Sequence, residues 1–74
     1  MNFSFDKLAN ALHIRFSSEK ISNSDEIADG IIIDYGKSEN VVGVEILKFT
    51  ERKLNLTDLI QLDFEELILR LVQC

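Results

Sequence analysis

Residues 31–47 read IIIDYGKSENVVGVEIL: two apolar runs rich in β-branched residues, separated by a polar five-residue segment. Valine and isoleucine suit extended backbone, and GKSEN reverses it, so the stretch predicts a β-hairpin of Ile31–Tyr35 and Val41–Leu47. Gly36 and Asn40 are the residues best suited to a left-handed conformation in the turn. In the second strand Val42, Val44 and Ile46 share one face, and Val41, Gly43, Glu45 and Leu47 share the other. In the first, Ile31, Ile33 and Tyr35 oppose Ile32 and Asp34. Both strands are therefore apolar on two sides, which predicts central positions in a sheet with neither face freely solvated.

Glu45 is the anomaly in this pattern. An unpaired carboxylate on a largely apolar face is costly, so the reading requires a partner. Arg15, on a neighbouring strand or a symmetry mate, would hold it bidentately. Gly43 reads as a close backbone approach or a bulge.

Working outward, Phe3 and Phe5 alternate with Asn2, Ser4 and Asp6, a short strand, and DKLAN (6–10) makes a tight reversal. In ALHIRF (11–16), Leu12, Ile14 and Phe16 point one way, His13 and Arg15 the other. The segment SNSDEIADG (22–30), with Asp25, Glu26 and Asp29 among small polar residues, reads as an acidic loop. A marginal strand through Ile21 and a loop that lasts until Glu26 and Ile27 both fit there. Beyond residue 50 the period changes: Leu56, Leu59, Ile60, Phe64, Leu67, Ile68, Leu71 and Val72 form one stripe of a helix over about 57–72. Thr57 suits its N-cap. Asp63 and Glu66 have the spacing of a capping box, so two helices with a break near Leu62 are the alternative. The order predicts a single α+β domain, a four-stranded antiparallel meander with a C-terminal helix across one face.

At 74 residues the chain can build one small core, and its single cysteine forms no disulfide within it, so association with a second copy is the expected support. The net charge of -5 is concentrated between residues 19 and 50 and opposes binding to nucleic acid or anionic membranes. Neither a signal-peptide pattern nor an apolar span is legible, and the expected location is the cytoplasm.

Few residues carry chemistry. His13, the sole histidine, cannot build a zinc site alone, although a carboxylate from Glu45 or Asp34 could orient it as a base. Asp25, Glu26, Asp29 and Asp34 lack the ligand spacing of a calcium loop, and Cys74 has no evident activating neighbour. With no serine elbow, phosphate loop or paired-cysteine motif, the expectation is no catalytic residue, no metal and no cofactor. Glu45, Asp34, Arg15 and His13 remain as candidate binding residues.

Three segments together resemble a known family: FDKLANALHIRF (5–16), EIADGIIIDY (26–35) and VVGVEIL (41–47) are similar to the uncharacterised prokaryotic family named domain of unknown function 2283. Gly36 stands where that family usually has aspartate, Asn40 where it has glycine, and His13 where it has tyrosine. The resemblance implies no assigned activity, and suggests small antitoxin-like proteins encoded beside another small protein. The leading expectation is a non-enzymatic protein-interaction module that homo-oligomerises and meets a basic protein. The alternatives are a small dimeric enzyme or ligand-binding protein with an intersubunit site, and an antitoxin-like chain whose helix docks in a partner groove.

Overall fold

The structure, a computed structural model, describes residues 2–73; Cys74, expected to be a thiol with no activating neighbour, lies outside them. Five strands come first: β1 (Asn2–Asp6), β2 (Ala11–Arg15), β3 (Asn23–Ala28), β4 (Ile31–Tyr35) and β5 (Val41–Ile46). A 3-10 turn (Phe49–Glu51) then leads to α1 (Leu56–Leu59) and α2 (Phe64–Gln73). All neighbouring strands are antiparallel in the order β1-β2-β5-β4-β3. The α+β class is the expected one, but the sheet has a fifth strand and is not a simple meander.

The extra strand is β3, formed by the polar segment expected to be a loop. A central strand must satisfy its backbone on both edges, and β4 has β5 on one side. SNSDEIA supplies the other edge through its backbone, while most of its side chains remain exposed. Turn-forming side chains mislead here because an edge strand does not need apolar ones.

Turn chemistry fixes the hairpins. The Asp6 carboxylate accepts from the amides of Leu8 (3.0 Å) and Ala9 (3.2 Å), closing the reversal between β1 and β2. In the β4–β5 turn Glu39, at φ 65°, takes the left-handed conformation that Gly36 and Asn40 were expected to supply. That turn is braced from outside: the Glu19 carboxylate accepts from the Lys37 amide at 3.1 Å and the Asn40 side-chain amide at 2.7 Å.

Glu19 belongs to the crossover that carries the chain from β2 past the ends of β5 and β4 to β3. Amides of Phe16 and Ser22 donate to the carbonyls of Val42 (2.8 Å) and Tyr35 (2.7 Å), seating the crossover along the sheet end. At the opposite end Gly30 turns at φ 75°, and Arg52 donates to the carbonyls of Leu47 and Asp29, both at 2.7 Å. This clamp ties the β3–β4 turn to the end of β5.

One sheet face meets the helices. Leu12, Ile14, Ile31, Val44 and Ile46 pack with Leu59, Leu67 and Leu71, and fully burying such a side chain is worth about 1.5–3 kcal/mol. Phe16 meets Phe64 edge-on, with ring centroids 5.6 Å apart.

The apolar tail breaks into two helices. Asp63 and Glu66 make the reciprocal capping box: the Glu66 amide donates to Asp63 Oδ1 (2.8 Å) and the Asp63 amide to Glu66 Oε1 (3.2 Å). The α1 cap is Asn55, not Thr57, since Asn55 Oδ1 accepts from the Thr57 amide at 2.8 Å. Of the expected stripe, Leu56, Ile60 and Val72 are exposed.

The far face of the sheet corrects the sequence reading. Cross-strand register lays two rows across it: Ser4, His13, Glu45, Ile32 and Glu26, and beside them Asn2, Arg15, Gly43, Asp34 and Ser24. Ile32 is the single β-branched residue of these rows. The apolar second face expected from the two central strands is a polar one, because the other three strands contribute polar groups to it.

Candidate functional site: a carboxyl pair on the open sheet face

Gly43 lies midway across the open face, with Arg15 its partner on β2 and Asp34 its partner on β4. A Cβ on Gly43 would stand 2.8 Å from the Ile14 carbonyl oxygen, so glycine is required by the approach of the β2 backbone. The ladder shifts register between Asp34 and Tyr35. Close approach and irregular pairing, the two features that the glycine suggested, both occur here.

Arg15 and Asp34 are thus equivalent diagonal neighbours of Glu45, one on each side, and they behave differently. Arg15 donates through Nε to the Ser17 carbonyl (3.0 Å) and through Nη2 to that of Glu19 (2.6 Å), so its guanidinium caps the crossover. The expected ion pair between Arg15 and Glu45 does not form. Two carbonyls within two and four residues win the guanidinium at low entropic cost.

Asp34 is 3 % exposed, the one buried charged residue among those described. Its Oδ1 accepts from the Ser24 hydroxyl at 2.6 Å, and its Oδ2 lies 3.7 Å from where a Gly43 Cβ would be. The Glu45 carboxyl hydrogen-bonds to Asp34, while His13 Nδ1 stands 3.9 Å from Glu45 Oε1, beyond hydrogen-bond length. With 24 % of its side chain exposed, Glu45 is pushed up from 4.5 to about 7. Burial is the first cause; the hydrogen bond to Asp34 and that neighbour's negative charge add to it.

The four candidate residues therefore share one face but not one contact. Asp34 and Glu45 meet directly, His13 borders them, and Arg15 is turned away. The arrangement can hold a proton near neutral pH or receive a cationic group. A shallow groove of about 310 Å³ runs alongside, lined by Asn2, Ser4, Asp6, His13 and Arg15.

Ser24, the hydroxyl that holds Asp34, was hidden inside the supposed loop; only the pairing of β3 with β4 brings it across. Glu19 and Arg52, the brace and the clamp, carry no sequence signal because each reaches a partner about twenty residues along the chain, Lys37 and Asn40 for Glu19 and the Asp29 carbonyl for Arg52. Glu26 of the acidic segment is structural, its carboxylate accepting from the Gly30 amide at 2.8 Å.

Among the described residues no helix is long and apolar enough to cross a membrane. No curated protein and no solved structure matches the chain. A family model described as "Protein of unknown function (DUF2283)" matches residues 2–49, the whole five-stranded sheet with both rows of the open face and none of α1 or α2. A match across most of the chain settles the family: the protein belongs to the DUF2283 family of unknown function.

Proposed function

We propose that the protein is a non-enzymatic interaction module of the cytoplasm, and that its open sheet face receives a basic segment of another protein. The observation that carries this reading is the composition of that face: Asp6, Glu26, Asp34 and Glu45 lie on it, and its one arginine is engaged by backbone carbonyls. Both helices pack against the other face, so their buried stripe is committed to the core. That favours docking on the sheet over the antitoxin-like alternative of a helix laid in a partner's groove.

Affinity capture from the native host, identification of the bound protein and titration of the purified pair test the reading. A protein with a cationic contact segment is expected, bound about tenfold or more weakly by Glu45→Lys. Asp25→Lys is the control, since Asp25 pairs with Ile33 and so lies on the helix side of the sheet. No captured partner, or equal binding by both variants, removes the proposal. An intersubunit enzyme instead requires a second copy to close the groove beside His13, and turnover that Glu45→Gln abolishes.

Self-association has a separate support. The outer strand β3 carries Asp25 and Glu26 and a register shift between Glu26 and Ala28, features that discourage edge pairing. The outer strand β1 pairs without irregularity along all five residues and has Asp6 as its single charge. A second copy joined edge to edge at β1 is the form of homo-oligomer that this asymmetry supports.

A further inference from the structure

The charged groups around Glu45 leave one unusual contact unexplained by the fold. On β2 it faces His13, 3.9 Å away, and Arg15, whose guanidinium is held by the Ser17 and Glu19 carbonyls. On β4 it faces Asp34 beside the uncharged Ile32. One strand farther out, Glu26 on β3 is bonded to the Gly30 amide, and Asp6 on β1 to the amides of Leu8 and Ala9. Among the described residues no cation is therefore bonded between the two carboxyls, and two ionised carboxylates this close repel. A single proton resolves the contact, with Glu45 donating and Asp34 accepting while the Ser24 hydroxyl holds Asp34 Oδ1.

We infer that Asp34 and Glu45 share one proton and form a switch on the open face. With the proton in place Glu45 lies against Asp34 beside Gly43; when the proton passes to solvent, the carboxylates part and Glu45 turns toward His13 and the groove. The switch rests on the reading of this face as a docking surface, and it regulates that surface. The deprotonated face carries one more negative charge beside the groove, so a basic partner docks more tightly on the alkaline side.

Carbon-detected NMR of the side-chain carboxyls, followed from pH 4 to 9 on the full chain, tests the inference without any partner. The expected result is a step in the Glu45 carboxyl resonance with a midpoint near 7, and a step of the Asp34 carboxyl resonance at the same midpoint. In Glu45→Gln the Asp34 step near 7 disappears, and in Asp34→Asn the Glu45 midpoint falls below that of the wild type. His13→Gln retains the shared step, which separates it from imidazole titration. Glu45→Gln is nearly isosteric at a partly exposed site, so it decides the matter should Asp34→Asn fail to fold. A Glu45 midpoint near 4.5 with no matching movement of Asp34 overturns the switch. That failure would leave the docking reading intact, because partner binding at one fixed pH is measured independently.

Discussion

At the residue scale, the proton on Glu45 links the open face to stability. In the unfolded chain this glutamate releases its proton near 4.5, whereas in the fold it retains it to about 7. Between those values the folded state binds more protons than the unfolded state, so this contribution to stability falls as pH rises and levels off above about 7. For a quarter-exposed group, solvent screening limits the effect to about 1–2 kcal/mol. Urea unfolding at pH 5 and pH 8 should show wild type losing that amount relative to Glu45→Gln, whose amide donates to Asp34 at both values. Equal pH dependence in the two proteins would contradict the proton-sharing geometry. Gly43 poses a purely steric question. Gly43→Ala drives a methyl toward the Ile14 carbonyl oxygen in a packed sheet, and a loss of about 1–3 kcal/mol in the same assay is expected.

At the element scale, capping decides where the tail bends. Asn55→Ala removes the acceptor of the Thr57 amide and is expected to cost about 1 kcal/mol, whereas Thr57→Ala, which leaves that bond intact, should stay within about 0.5 kcal/mol. Chemical denaturation of the two variants separates them, and the opposite ranking would return the cap to Thr57. The capping box at Asp63 was readable because its partners are three residues apart, and so was the Asp6 turn, whose acceptor and donors are two and three residues apart. The IIIDY and VVGVEIL strands were readable because their apolar runs match the core they fill. What escaped the sequence depends on distant neighbours. SNSDEIA becomes a strand because β4 has a free edge, a demand its own side chains do not record. The open face is polar because β1, β2 and β3 add polar residues to the rows that cross β4 and β5, and a face belongs to all the strands that cross it. Arg15 and Asp34 flank Glu45 alike, and the choice between them was made by the carbonyls of the crossover, which local periodicity does not place.

At the scale of the whole molecule, the question is how so small a core holds a sheet with two edges. A chain of 74 residues buries about 60% of its unfolded surface, a slim margin that association can widen. The apolar second face expected to drive that association is a polar surface, and stacking two copies face to face would bring acidic rows together. Edge pairing at β1 avoids this conflict, since it is made by backbone groups and adds no carboxylate to an apolar interface. It also leaves the Asp34 and Glu45 pair, on the inner strands β4 and β5 and separated from β1 by β2, open to a different partner. Ser4→Lys puts a cation in the middle of that edge, where pairing with a second copy would set two such cations close together. Light scattering should then give a dimer mass for the wild type and a monomer mass for Ser4→Lys, with Asn23→Lys on the β3 edge remaining dimeric. A wild-type monomer at every concentration would eliminate the edge dimer, and a Ser4→Lys dimer would move the interface away from β1.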